Sequence, residues 1–264
     1  CGAANLEKAF MAFETLDFSA RTELNAKKIG TPRHITPEQI AFDGQAPALP
    51  AFTRGSLSSE EAAVRRDLCA FSRRCYDQHL FTAAAGAFSY RLEDGSFVIT
   101  PEGMDRKYLE EQDLVLVKDG HVEEGKTADR TVLLHAAIYA KNPAVRSVVI
   151  SKAPCIMAFA CTEADFDSRT IPESYIALRN VKRQPFGAAL TDPEGVAAQF
   201  SAKVPVMFME NQYAVATGVN MIKAFDCMEV LEYSAKALIM VPDIGKLVTI
   251  SPEEVRQIEI DFNL

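Results

Sequence analysis

The sequence predicts an α/β protein, a three-layer α/β/α domain with a mixed, largely antiparallel central sheet. Three observations carry this. Runs with helical spacing of apolar residues alternate with short β-rich runs, the pattern of helices layered on a sheet. Asp94-Gly95 and Asp119-Gly120 follow or divide β-rich runs and mark hairpin turns, so neighbouring strands are antiparallel. The chain has 264 residues, 48% hydrophobic and 24% charged, enough to bury the core of such a domain.

Taken in order, residues 5–16 have helical spacing. From about residue 17 to residue 55 the period is lost, and Pro32, Pro37, Pro47 and Pro50, with Gly30 and Gly44, punctuate an irregular arm expected to pack on the domain or on a neighbour. A helix then begins near Leu57. Ser58 or Ser59 caps it, Glu60 and Glu61 fill its first turn, and Val64, Leu68, Phe71 and Cys75 share one face. Strands are expected at 87–91, 97–100 and 114–118. A helix follows at 130–141, ended by Asn142-Pro143, then a strand at 146–150 and a helix from Pro154. Residues 181–187 and 204–210 read as strands, the latter paired with 213–217 across a turn. Asn220 caps a long helix running to about Ile239, and the tail from Gly245 reads as one strand and a short turn led by Pro252. The division is an N-terminal helix and arm (1–56), a main domain (57–240), and a C-terminal strand and tail packing on it (241–264).

The net charge is −8, and no basic face is visible, so nucleic acid is not an expected partner. Arg65-Arg66 and Arg73-Arg74 lie among acids and read as a solvated helix face. No run of eighteen apolar residues is present, so no membrane span is expected. Six cysteines without a C-x-x-C pair suggest reduced thiols, and with no signal-peptide pattern a cytoplasmic location is expected. The chain starts at Cys1, which suggests a processed, trimmed or partial product. A lipid anchor on Cys1-Gly2 is the alternative.

Several segments, in this order, resemble the class II aldolase/adducin superfamily, the group of L-fuculose-phosphate aldolase. They are A-A-A-G-A-F-S-Y-R (83–91), F-V-I-T-P-E-G-M-D (97–105), L-H-A-A-I-Y (134–139), V-V-I-S-K-A-P-C-I-M-A-F-A (148–160), M-E-N-Q-Y-A-V-A-T-G (209–218) and A-F-D-C-M-E-V-L-E-Y-S-A-K (224–236). The likeness spans about residues 57–240. It implies the layered fold and, in the enzymes of the family, a divalent metal, usually zinc, that polarises a carbonyl. It also implies histidine ligands from a His-x-His and an Asn-His-Gly turn, a glutamate acid/base, and a phosphate turn.

Laid on that pattern, Ile150 and Lys152 stand at the His-x-His positions and Gln212 at the third histidine. Thr131 stands at the glutamate, four before His135, which is taken as structural. Ala87 replaces the asparagine of the phosphate turn, and Asp129 and Arg130 replace its serine pair, while Ser89, Thr100 and Gly103 are kept. A hydrocarbon cannot ligate, an ammonium repels a dication, and a carboxamide is a weak oxygen ligand. The family zinc is therefore expected to be absent, with no other cofactor. Lys152 is expected to pair with Asp129 or Glu102 in place of the metal's charge.

Three functions follow as expectations. The first is a non-catalytic homologue serving as a structural, regulatory or ligand-binding subunit. The second is a metal-independent lyase, of aldolase or decarboxylase type, on a sugar or small carbonyl compound. There Lys152 forms a Schiff base, with Tyr213 or Arg130 assisting. The third is a small-molecule sensor using the altered pocket. Cys155 at a helix start is weighed as a stabilised thiolate against a plain core thiol, which is preferred, and Arg91 as an anion contact against a solvent-facing residue. The resemblance implies a homo-oligomer, a tetramer by family habit, with a paralogous aldolase subunit as an alternative partner.

Overall fold

The computed structural model describes residues 1–43 and 47–264; Gly44, expected to punctuate the arm, lies outside the described residues. The N-terminal segment is more helical than its composition suggests. Helix α1 (Leu6–Ile29), capped by Asn5, runs through residues 17–29, where an irregular arm was expected. That stretch contains no proline or glycine. Ion pairs at i,i+4 spacing, Asp17–Arg21 at 2.8 Å and Glu23–Lys27 at 2.9 Å, add a few tenths of a kcal/mol each. The chain breaks at Gly30 and re-forms as α2 (Pro37–Asp43). Thr36 and Gln39 exchange backbone-to-side-chain hydrogen bonds of 2.9 and 3.3 Å at its start.

The sheet is mixed and largely antiparallel, as expected. Its strands are β1 (Ala51–Phe52), β2 (Ala87–Arg91), β3 (Phe97–Ile99), β4 (Val115–Lys118), β5 (His121–Glu123), β6 (Ser147–Ser151), β7 (Lys182–Gln184), β8 (Val206–Met209) and β9 (Tyr213–Gly218). Their order across the sheet is β1-β5-β4-β3-β2-β6-β9-β8-β7, and only the two edge pairs, β1 with β5 and β7 with β8, are parallel. The centre is the register of β6, in which Ile150 faces Ala87 of β2 on one side and Val215 of β9 on the other.

Alternation along these strands builds two cores, because successive side chains leave opposite faces. Phe88, Val149 and Ala214 enter the first, under α3 (Ser59–Asp77), α5 (Pro154–Ala160) and α9 (Met221–Ile244). Ala87, Val148, Ile150 and Val215 enter the second, under α4 (Val132–Lys141), with α7 (Ala188–Thr191) and α8 (Pro193–Ala197) beside it. A short α6 (Pro172–Leu178) packs on α9. Ser58 caps α3 and Asn220 caps α9. The tail departs from expectation: no strand is present among the described residues after 245, and Pro252–Asp261 is helix α10. Ser251 and Glu254 close its first turn reciprocally, and proline at the first helical position costs nothing because its missing N–H has no partner there.

Arg65 also differs from its reading as a solvated charge. It is 2% exposed, whereas Arg66 beside it is exposed. Its guanidinium donates to Glu61 at 2.7 Å, to Glu123 at 2.9 Å and to the Leu114 and Glu111 carbonyls, joining α3 to the β4–β5 hairpin. No helix among the described residues is long and apolar enough to cross a membrane.

Candidate functional site

The side chains singled out by position gather where β6 ends, where the β8–β9 turn returns, and where α4 begins. Most of them are committed to internal partners. Ser89 is fully buried, with its hydroxyl 2.6 Å from His135 Nδ1 and 2.5 Å from the Tyr139 hydroxyl. Burial pushes the His135 imidazole down to about 3, so it is neutral and structural. Thr100, also fully buried, accepts from the Phe88 N–H at 3.2 Å. Gly103 holds a left-handed turn at φ 71°. Ala87 and Ile150 are packing residues of the second core, 1% and 2% exposed. Arg91 donates to the Tyr139 and Pro143 carbonyls and is a structural clamp.

The charged members form closed pairs. Asp129 receives the Thr131 N–H at 3.0 Å and its hydroxyl at 2.7 Å on one oxygen, and Arg106 at 3.0 Å on the other. Thr131, at the start of α4, is thus a donor to Asp129. Glu102 binds the Arg130 guanidinium at 2.9 Å and its N–H at 3.2 Å. Gln212, 2% exposed, accepts from the Gly187 N–H at 2.9 Å and donates to Asp43 at 2.6 Å. Gly187 is required there: its φ is +80°, and a Cβ would come within 2.8 Å of the Phe42 ring. The arm therefore closes over this pocket, with α2 placing Asp43 between Gln212 and Arg130, whose guanidinium reaches the Asp43 carbonyl at 3.3 Å.

Lys152 does not make the pair expected of it. Asp129 and Glu102 are taken by Arg106 and Arg130, and among the described residues no carboxylate lies within 4.0 Å of its ammonium. Lys152 is half-buried and lines a cleft. Desolvation pushes its ammonium down, opposed by the charge of Asp43, reinforced by Arg130, and opposed again by Asp129 and Glu102. Tyr213 is 5% exposed, and its phenol is pushed up, mainly by burial. Arg106 and Asp43 were missed in the sequence. Arg106 carries no motif signal, and Asp43 lies in a segment whose position is set only by the fold.

A second pocket, of about 750 Å³, lies between α1, α5 and α9. In it Glu232 accepts the N–H groups of Cys155 at 3.2 Å and Ile156 at 2.8 Å. This places a carboxylate where a Cys155 thiolate had been weighed, and burial with that neighbour pushes the thiol up, leaving a core thiol. Burial raises Glu232 from 4.5 to about 7, against the two amides that favour its ionised form. A folded-state value above the unfolded one means that folded chains bind more protons between those limits. Stability is therefore expected to fall by about 2–3 kcal/mol as pH rises from 4.5 to about 7, then to level off. Urea titrations of wild type and Glu232→Gln check this; the variant should lose that slope.

The mixed sheet with helices on both faces defines a layered α/β fold. The chain belongs to the family described as the class II aldolase and adducin N-terminal domain, whose model matches residues 66–239. It is 28% identical over 200 residues to a 3-oxo-tetronate 4-phosphate decarboxylase of Pectobacterium atrosepticum, covering 72% of this chain and 90% of that one. Among solved structures it is similar to an aldolase II superfamily protein from Pseudomonas syringae, with TM-score 0.69 and 21% identity, covering 77% of this chain and 86% of the other. It is also similar to an L-fuculose 1-phosphate aldolase, with TM-score 0.66 and 20% identity, covering 80% of this chain and all of that one. The structural likenesses bear on the fold.

Proposed function

We propose that this chain is a non-catalytic homologue of the metal-dependent lyases of its family, a ligand-binding or regulatory subunit whose pocket runs no metal chemistry. The observation that carries this reading is the state of Gln212. At the position the family gives to its third ligand, both ends of the carboxamide are already used, by Gly187 and Asp43. The other two positions hold the buried hydrocarbon of Ile150 and the side chain of Lys152. These residues do not fit a divalent cation, because Ile150 offers no lone pair and the Gln212 carboxamide is engaged at both ends, which leaves at most one amine where three ligands are needed. The acid/base position is equally spent, since the Thr131 hydroxyl is donated to Asp129.

The decarboxylase named among the relatives supplies the contrary expectation and so the test. Protein purified without added metal should contain no stoichiometric transition metal by elemental analysis. It should take up none in a zinc titration, and should not decarboxylate 3-oxo-tetronate 4-phosphate with zinc supplied. Stoichiometric zinc, or turnover that follows it, sinks the reading. Assembly as a homo-oligomer, a tetramer by family resemblance, belongs to the same reading. Phe10, Phe13 and Leu16 of α1, between 47% and 60% exposed, support a face that assembly covers. A light-scattering mass, alone and with a paralogous aldolase, checks it.

A further inference from the structure

The arm does more than close the pocket. Its α1 helix and the turn after it stand against the end of β6 and line a half-open cleft of about 370 Å³. Lys152, Thr82, Asn211 and Met157 line it from the domain, and Arg33 and His34 from the arm. That volume suits a small organic molecule. The wall has one cationic character. Among its described residues the single carboxylate is Glu23, which is paired with Lys27 at 2.9 Å. Lys152 and Arg33 are the cations; Arg33 pairs with Glu210 at 3.1 Å and reaches Glu163 at 4.0 Å, and its buried Nε has no partner among the described residues. Phe18, Ile35 and Met157 give the remaining wall an apolar surface for a short carbon chain.

A primary amine with no carboxylate within 4.0 Å among the described residues, on a residue lining a small cavity that carries a second cation, is suited to one class of ligand. We propose that Lys152 captures a small oxo acid as an imine in this cavity, with Arg33 holding the carboxylate. This rests on the reading that no metal occupies the Lys152 position. In the step, the neutral amine attacks the carbonyl carbon, a C=N bond forms, and the carbonyl oxygen leaves as water. No electrons are gained or lost, and hydrolysis reverses it. The cavity geometry is the ground for the assignment, and the depressed ammonium supports it, because only the free amine attacks.

The charges that act on the amine are those of Asp43, Asp129, Glu102 and Arg130, and the other titratable side chains lining the cavity are Arg33, His34, Glu23 and Cys161. The test is reductive trapping of the full chain at neutral pH. Pyruvate and acetoacetate serve as separate probes, with cyanoborohydride as reductant and peptide mass spectrometry as the readout. Lys152 should carry the adduct in clear excess of exposed lysines such as Lys223, since a lowered pKa raises the share of free amine. Lys152→Arg, which keeps the charge, should abolish the adduct while leaving the melting transition in place. A Lys152 peptide labelled no more than the exposed lysines with either probe overturns the proposal on wild-type protein alone. That failure, with no zinc bound, leaves the metal-free reading standing. Stoichiometric zinc removes the reading itself.

Discussion

Arg65→Met is expected to destabilise the fold by about 3 kcal/mol, the lower end of what breaking a buried ion pair costs. The change leaves Glu61 and Glu123, 4% and 7% exposed, without the guanidinium that joins them. It also leaves the Glu111 carbonyl without this donor, while the Leu114 carbonyl keeps only Lys126, at 2.9 Å. The loss stays near 3 kcal/mol and not higher because Arg54 still reaches Glu61 at 3.1 Å and Glu123 at 3.2 Å, and Lys126 reaches Glu123 at 3.1 Å. The same network makes an acid prediction. Burial works against ionising Glu123, but hydrogen bonds from Arg65, Lys126 and the Leu116 N–H outweigh it and hold the carboxyl down at about 2. Its contribution is therefore complete above 4.5 and is lost as pH falls through about 2. After discounting for solvent screening it is worth about 1–2 kcal/mol. Urea midpoints for wild type and variant at neutral pH and near pH 3 measure both effects. An Arg65→Met protein with unchanged midpoints, or with the wild-type acid slope, refutes the account.

Arg65 also shows what a sequence conceals. Helix α3 was legible because its cap, its acidic first turn and its apolar face are all local signals. That Arg65 faces inward while Arg66 faces out depends on two carboxylates, one four residues away and one on β5. The hairpins β2–β3 and β4–β5 were legible for a similar local reason: β-rich runs and their Asp-Gly turns are written within a short stretch of chain. The two termini were misread for opposite reasons. In α1 the prolines and glycines that break the arm begin only at Gly30, so the helix continues through a stretch of weak amphipathic pattern. In the tail, Pro252 was read as a turn when it is the first residue of a capped helix. The site divides in the same way. The positions of Ile150, Lys152 and Gln212 were legible from motif order. What holds Gln212 was not, because Asp43 reaches it across 169 positions of chain. The expected Lys152 pair failed because Arg106, which carries no pattern, had already taken Asp129.

Arg106→Met is expected to cost about 3–5 kcal/mol, the range for stranding a buried charge. Arg106 is 1% exposed, and each part of its guanidinium is used: Nε on the Gly86 carbonyl at 2.7 Å, one Nη on Met104 at 2.8 Å and the other on Asp129 at 3.0 Å. Methionine fills the space but leaves the Gly86 and Met104 carbonyls and one Asp129 oxygen without their donor, with Thr131 still on the other oxygen. Adding Asp129→Asn should recover part of the loss, because the double variant no longer buries an unpaired charge; a coupling of about 1–3 kcal/mol is expected for side chains in direct contact. The pair matters beyond stability. Asp129 lies two residues before Thr131, the position the family gives to its acid/base, and it is the nearest carboxylate in sequence that could act there. Arg106 on one oxygen, with Thr131 on the other, keeps it from any proton transfer to a ligand. The same pair withholds Asp129 from Lys152 and so leaves that amine without a direct counter-ion. If Arg106→Met unfolds at the wild-type urea midpoint, the pair is not the buried clamp described, and Asp129 is free to meet Lys152. Loss of stability with partial recovery in the double variant instead ties the spent acid/base position and the unpartnered lysine to one arginine.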